Sequence, residues 1–395
     1  MKIAMFTDYF YPEIGGIQDS IAITSRELGR RGHEVTIYAP RYGARDYRLV
    51  EAACGERDLG PNVRVRRRLS LPFPSSTRQS RAALPSLAGC ADLRFFRRPD
   101  IIHTHSFFGI GLEALLNAAV LRKPVIGTNH TTIAGFAGHM PVSVARAGAY
   151  VSWFHNRCDV VTAPSKSVFD ELGRENLRRP LEIVSNPIDT DLFVSVSSNA
   201  EAAAIRQRFG LHGPTITYAG RLAPEKNIGV VLHALAQLRD KNMTAHLAIA
   251  GHGSHESILR QMAVELRIVD QVKFLGTLPQ PALAQLFQIS DTFAIMSTSE
   301  TQSMVLLQAM AAGVPVVAAN SRALPEFVGP DNGMLIDPDD SAQLASALHA
   351  LLAEPARRRS LGAGGRARAL QHGIAPVTDA WERIYATTAA ARLAA

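Results

Sequence analysis

Short runs of β-branched and apolar residues punctuate the first half of the chain at Lys2 to Thr7, Val35 to Ala39, Val63 to Arg67, Ile101 to Thr104, Val125 to Asn129, Val160 to Ala163 and Glu182 to Val184. Helical patterns separate most of them. Runs that are apolar on both faces and spaced by crossover helices predict parallel strands covered on both sides. The stretch Pro187 to Ala200 has no strong period and holds Pro, Asp and several Ser, which makes it the candidate linker. A second series follows at Thr215 to Ala219, Ala245 to Ala250, Val272 to Leu275, Thr292 to Met296, Val316 to Ala319 and Gly333 to Ile336, and everything from Ser341 onward reads as helix. The fold class expected is α/β: two Rossmann-like, doubly wound parallel-sheet domains facing across a cleft. Residues 1–190 form the first domain and 191–375 the second, with a helix over 376–395 that packs back on the first.

The composition supports a folded protein with an ample core. Of 395 residues, 47% are hydrophobic and 19% charged, which excludes disorder and small disulfide-stapled scaffolds. Cys54, Cys90 and Cys158 are odd in number and lack metal-ligand spacing, so they read as reduced thiols of a cytoplasmic protein. The N-terminal run is broken by Asp8 and resembles a core strand more than a signal peptide. The longest apolar stretch, Ser303 to Ala319, contains Gln308, Gly313 and Pro315, and divides into a helix and a strand rather than a membrane span.

Charge is unevenly spread. Residues 1–190 hold 25 Lys and Arg against 18 Asp and Glu, whereas the remainder holds 17 of each. Nine arginines and one acid lie between Arg64 and Arg98, among them Arg64, Arg66, Arg67, Arg68, Arg94, Arg97 and Arg98, interleaved with leucines and phenylalanines. Such a segment suits an anionic membrane surface; a solvated loop is the plainer alternative, and no nucleic-acid-binding motif accompanies it.

Open α/β sheets bind ligands beyond the carboxyl ends of their strands, so the residues just after each strand are the candidates for chemistry. After the first strand come Gly15 and Gly16, which permit positive φ and close backbone approach before a helix whose N–H groups attract anions; without a ligand they make a tight turn. After Thr215 to Ala219, Arg221 and Lys226 offer a planar fork and a point charge suited to a diphosphate. After Thr292 to Met296 come Glu300, then Ser303 and Met304 at a helix start, with Gln308 about 12 Å from Glu300 at the helical rise. That span matches a nucleotide's ribose and a sugar on its β-phosphate. His130 sits where Val125 to Asn129 gives way to a loop, able to hydrogen-bond a hydroxyl or carry a proton. His103 and His105 share one strand face but lack a third metal ligand, so no metal is expected.

Together, FTDYFYPEIGGI, GTNHT, PSKSVFDEL, SNPIDTDLF, YAGRLAPEKNI, IAGHGSHESIL and above all SETQSMVLLQAMAAGVPVVA resemble the retaining, nucleotide-sugar-dependent glycosyltransferases of family 4, which have the GT-B fold. The resemblance implies that Gly15 and Gly16 meet the donor diphosphate, that Arg221 and Lys226 bind its phosphates, that Glu300 contacts the transferred sugar and that His130 lies near the acceptor. Two positions depart from the pattern: Gln308 replaces the second Glu of the E-x7-E motif, and Ser303 stands where Gly is common. HTHSFFGIGLEALLNAA and HTTIAGF are similar to diacylglycerol glucosyltransferases and phosphatidylinositol mannosyltransferases. The expectation is a metal-independent hexosyltransferase without a resident cofactor, taking a UDP-sugar in preference to a GDP-sugar. Its acceptor is expected to be a membrane lipid, and its place peripheral on the inner face of the membrane. Alternatives are a soluble or polysaccharide-precursor acceptor, a non-catalytic sugar-nucleotide binder, a basic nucleic-acid-binding protein, and an epimerase or phosphorylase.

Overall fold

The structure is a computed structural model and describes every residue except 51–53, 74–79, 86–97, 140–141, 195–197 and 395. The chain divides into two compact units, Met1–Pro187 together with Ile374–Ala395, and Ile188–Gly373.

The first unit is built on β1 (Lys2–Phe6), β2 (Glu34–Pro40), β3 (Val63–Arg68), β6 (Ile101–Thr104), β7 (Val125–Thr128), β8 (Val160–Ala163) and β9 (Leu181–Ile183). They form one sheet in the order β3-β2-β1-β6-β7-β8-β9, and every neighbouring pair is parallel, with Ile3 opposite both Val35 and Ile101. Side chains alternate across a strand: Ala4 and Phe6 of β1 join one apolar cluster, while Ile3 and Met5 join the other. Both faces of the central strands are therefore buried, which is why those runs carry no polar alternation, whereas the edge strand β3 alternates Val with the exposed Arg64 and Arg66.

The helix Ile374–Ala394 covers one of those faces, where Trp381, Ile384 and Tyr385 are each at most 4% exposed. Arg31 holds it by bonds of 2.6 Å to Asp379 and 2.7 Å to Glu382, and His33 lies 2.8 Å from Glu382. Serine caps start other helices: Ser143 accepts from the Arg146 N–H and Ser165 from the Val168 N–H, each satisfying a first-turn donor.

The second unit holds β10 (Thr215–Ala219), β11 (His246–Ala250), β12 (Val272–Gly276), β13 (Thr292–Ile295), β14 (Val316–Ala319) and β15 (Gly333–Ile336). This sheet runs β12-β11-β10-β13-β14-β15 and is again parallel throughout. Helices Ile228–Asp240, Ser341–Ala353 and Pro355–Leu370 contribute Leu232, Leu348 and Ala369 to one continuous core.

Two doubly wound parallel sheets are thus present, as the strand spacing predicts. Two features differ from the sequence reading. A short antiparallel hairpin, β4 (Ser70–Pro72) with β5 (Arg81–Ala83), was not expected; three-residue strands carrying Pro and Arg are too short to show a period. The stretch expected to be a linker contains core residues: Ile188 and Phe193 are fully buried and Ile188 bridges to Gly373.

Replacing Trp381 by Ala removes a large buried ring from the sheet face, so the first unit should lose about 3–5 kcal/mol in urea unfolding. A loss below about 1 kcal/mol would mean the C-terminal helix is not part of that core.

Candidate functional site

In the second sheet the chain leaves β10 toward β11 on one side and returns through β13 on the other. The loops that follow these two strands therefore diverge and leave room at their carboxyl ends. The loop after β10 ends in a short 3-10 turn, Pro224–Lys226, and Asn227 then turns through φ 52° into the helix Ile228–Asp240. The loop after β13 carries Glu300. The two meet where Lys226 Nζ donates to Glu300 Oε1 at 2.6 Å, and the Thr298 N–H donates to the Glu225 carbonyl at 3.1 Å. Arg221 lies nearer solvent and bonds Glu225 at 2.8 Å.

A third loop braces this pair. The Gly220 N–H donates to the Ala250 carbonyl at 2.9 Å, and the Leu222 N–H to the His252 carbonyl at 3.1 Å. A Cβ at Gly251 would fall 1.8 Å from the Gly220 carbonyl oxygen, and one at Gly253 2.1 Å from that of Leu222. Only glycine admits such an approach. Gly251 and Gly253 were not singled out as site residues; the cue was a Gly-x-Gly directly after a strand.

The Glu300 side chain is 12% exposed and that of Lys226 16%. Burial alone would raise the Glu300 carboxyl pKa, but the Lys226 ammonium and the hydroxyls of Ser297 and Ser303 outweigh it, and the net direction is down. Glu300 is thus ionised at neutral pH. Its ammonium partner uses one of three N–H donors on Glu300, and no other partner of Lys226 occurs among the described residues.

Ser303 precedes the helix Met304–Ala311 with φ 70°, in the left-handed region, which accounts for the preference for glycine at this position. The Ser303 side chain does not cap the helix, so the first-turn N–H groups have no partner from that hydroxyl. Gln308 is 4% exposed and its amide donates to Gln280 Oε1 at 3.1 Å. Gln280, the first residue of the helix Gln280–Gln288, was not foreseen as its neighbour, because sequence gives no sign of pairing across 28 positions.

The first sheet has its own divergence, between β1 and β6. Beyond β1 the buried Asp8 carboxylate accepts from Ser106 Oγ at 2.7 Å and from the Ile110 N–H at 2.9 Å, which ties it to the start of the helix Gly109–Leu121. Gly16 opens the helix Gly16–Arg30. Of the freedoms the paired glycines permit, positive φ is not used at Gly15, which is extended with φ 171°. What its missing Cβ provides is room, since one placed there would lie 2.7 Å from Gln18 Oε1. Glu13 beside it accepts from the Tyr42 hydroxyl at 3.2 Å, and burial pushes its pKa up to about 7.

At the carboxyl ends of β6 and β7 lies a cluster of buried imidazoles. His105 Nδ1 and His130 Nε2 are 3.1 Å apart. His103 spends both nitrogens elsewhere, on the Tyr385 hydroxyl at 2.8 Å and on Thr128 Oγ1 at 2.7 Å. Burial lowers the pKa of His130 to about 4, of His103 to about 3 and of His105 well below its ordinary value, so all three are neutral at pH 7. His155 is 1% exposed, neither ring nitrogen has a partner among the described residues, and burial brings its pKa to about 3. Among the described residues no group of three or more His, Cys, Asp or Glu side chains is placed to hold a metal ion.

The arginine-rich segment divides by role. Arg64 and Arg66 on β3, and Arg98, are exposed. Arg67 is instead committed inward, forking onto Glu56 at 2.8 and 2.7 Å and donating to the carbonyls of Pro40 and Tyr11. Arg68 bonds the fully buried Glu113 at 2.8 Å and lies 4.4 Å from the Tyr38 ring centre. These two hold the unit together and are not available to a surface. Arg94 and Arg97 lie outside the described residues. On and beside the hairpin, Leu69 is 82% exposed, Leu71 74% and Leu84 85%. No helix among the described residues is long and apolar enough to cross a membrane.

Residues 14–192 match the family model described as Glycosyltransferase Family 4, and residues 202–368 match Glycosyl transferases group 1. The chain is 30% identical over 383 residues to the GDP-mannose-dependent alpha-(1-6)-phosphatidylinositol monomannoside mannosyltransferase of Mycolicibacterium smegmatis, covering 93% of this chain and 94% of that protein. It is 28% identical over 325 residues to the alpha-monoglucosyldiacylglycerol synthase of Streptococcus pneumoniae, covering 80% of this chain and 71% of the relative. Among solved structures, HepE of Anabaena in complex with UDP superposes with a TM-score of 0.78 at 19% identity, covering 98% of this chain and all of that one.

The ion pair and the buried imidazoles set pH dependences of stability. Glu300 has a depressed folded pKa, so its contribution is present above the unfolded value and is lost as pH falls through the folded one. Lys226→Ala should therefore cost about 3 kcal/mol at pH 7, a difference that shrinks below about pH 4; an equal loss at pH 3 would contradict the pairing. For His155 the folded pKa is likewise depressed, but the charged form is the protonated one. Its burial is free of proton cost above about pH 6.5 and penalised increasingly below it, by about 1.4 kcal/mol per pH unit. His155→Leu should flatten the fall in Tm between pH 6.5 and 4, and an unchanged slope would mean the imidazole is not buried neutral.

Proposed function

Because the chain belongs to glycosyltransferase family 4 and has the GT-B fold, we propose that it moves a hexosyl group from a nucleotide-sugar to a diacylglycerol-like membrane lipid, with retention of anomeric configuration. The observation that carries this reading is the Lys226 to Glu300 contact of 2.6 Å where β10 and β13 part, beside the start of the helix Met304–Ala311. It sets a cation, an anion and a row of backbone donors side by side.

As the bond from sugar to phosphate breaks, the diphosphate gains negative charge and the sugar becomes oxocarbenium-like. Lys226 has two N–H donors left for phosphate oxygens, and Arg221 adds a fork at the outer edge; the N–H groups of Ser303 and Met304 meet the same group. Glu300, kept ionised by Lys226, faces the sugar that becomes positive. In this reading the fixed cations supply the neutralising charge, so turnover needs no added divalent ion. Gln308, already turned toward Gln280, offers the ribose a neutral amide in place of a carboxylate. His130 faces the acceptor hydroxyl, and the departing phosphate oxygen takes its proton.

The lipid acceptor is supported by the names of the two relatives, both of which name lipids, and by the exposed leucines on and beside the hairpin, in a unit that also exposes Arg64, Arg66 and Arg98. Those side chains would rest on an anionic bilayer, each cation contributing about 1 kcal/mol. A UDP-sugar is the donor we put forward, HepE of Anabaena having been solved with UDP, and GDP-mannose, for which the mannosyltransferase relative is named, is its rival.

The test offers UDP-glucose, UDP-galactose, UDP-glucuronate and GDP-mannose with diacylglycerol, glucosyldiacylglycerol and phosphatidylinositol in vesicles and follows glycolipid formation. A glycolipid with the donor's anomeric configuration is expected, with or without EDTA. Glu300→Ala and Lys226→Ala should each lower turnover by about a hundredfold. Near-normal rates in those variants, or transfer only to soluble acceptors, would overturn the assignment.

A further inference from the structure

The imidazole cluster beyond β6 and β7 contains more than the one histidine that the proposed function uses. His105 is 5% exposed and His130 8%, and their rings stack with centres 5.4 Å apart at 19°. The contact between His105 Nδ1 and His130 Nε2 at 3.1 Å has a strict requirement. Both rings are neutral, so each carries a single N–H. For the contact to be a hydrogen bond, one of these two nitrogens bears hydrogen and the other a lone pair.

That requirement propagates outward. If His105 donates, His130 holds its hydrogen on Nδ1 and His105 has a bare Nε2; if His130 donates, both assignments reverse. In either case the two outer nitrogens are one donor and one acceptor. Neither has a partner among the described residues, although both atoms are buried. Buried polar atoms are nearly always satisfied, and a pair left open on neighbouring strand ends awaits a ligand or water. His103 cannot take over either bond: its ring centre is 4.0 Å from that of His105, but the Tyr385 and Thr128 hydroxyls occupy its nitrogens.

We propose that His105 is the positioning residue for His130: the bond between them holds the plane of His130 and couples the two tautomers, so that its free Nδ1 meets a sugar or polyol hydroxyl with a polarity tied to that of His105. This rests on the reading of His130 as the imidazole facing the acceptor. The outer nitrogen of His105 then has the opposite polarity, which suits hydroxyl groups, since each can donate and accept. A carboxylate or phosphate, which only accepts, would satisfy one outer nitrogen and leave the other unpaired.

The test separates the inner bond from the outer nitrogen. His105→Asn places an amide where Nδ1 stood and keeps the bond to His130. His105→Gln reaches toward the outer position and gives that bond up. The tautomer of His130 is read by nitrogen NMR of histidine-labelled protein without any substrate, and turnover and UDP binding are measured alongside. The expected result is matched tautomer populations of His105 and His130 in the wild type, both on Nδ1 or both on Nε2, and a His130 population that shifts in His105→Gln and much less in His105→Asn. Turnover should fall at least about tenfold in the Gln variant, with UDP affinity unchanged, and recover most of the way in the Asn variant. A His130 tautomer population that is unchanged in His105→Gln, or Asn and Gln variants that lose turnover equally, overturns the proposal. Thermal melts establish that each variant is folded, and His105→Phe, which keeps the ring but no nitrogen, must behave as His105→Gln does. If the wild type transfers no sugar to any acceptor, the glycosyl-transfer reading fails, while the NMR experiment still decides the pairing of the two rings.

Discussion

The second unit is organised around one contact between oppositely charged groups that are mostly withdrawn from water, Lys226 and Glu300. Such a pair is costly to assemble and worse to break, because either member alone is a buried charge without a partner. The fold meets that cost through local geometry. The neighbouring parallel strands β10 and β13 bring the two loops that follow them together, Asn227 adopts a left-handed turn to start its helix, and Gly251 and Gly253 let a third loop pack against the backbone of the first. Each device exists to hold two side chains at one place, and together they keep Glu300 ionised next to a cation with donors to spare.

In the first unit the groups beyond β6 and β7 are neutral imidazoles, kept so by burial, beside the buried Asp8 beyond β1. A neutral ring can face a hydroxyl in either sense, whereas a fixed charge favours an ion. The two units thus present different groups: an ion pair beside backbone donors in one and neutral hydrogen-bonding rings in the other. Arg64, Arg66 and Arg98 of the first unit are exposed.

Much of this architecture was legible in the sequence because parallel strands buried on both faces are compact apolar runs, and five of the thirteen expected strands coincide end for end with the observed ones: β6, β8, β10, β14 and β15. Residues just past strands were legible as candidates for the same reason, and Lys226 and Glu300 do meet. Pairings across long stretches of chain were not. Nothing in the local pattern tells that Gln308 bonds Gln280, that His105 leans on His130, or that Arg68 turns inward to Glu113 while Arg66 faces solvent. Period reveals which face of a strand a residue occupies but not which side chain waits there. Gly15 shows the same limit: glycine permits several uses, and here the backbone is extended with the end of the Gln18 side chain packed against it.

The account stands on the diphosphate lying against the Lys226 and Glu300 corner. Crystals of the whole chain grown with UDP, and in parallel with GDP, examine this directly. Phosphate oxygens within hydrogen-bonding distance of Lys226 Nζ and of the backbone at Ser303 and Met304 are the predicted result. A nucleotide bound with its phosphates away from both would contradict it.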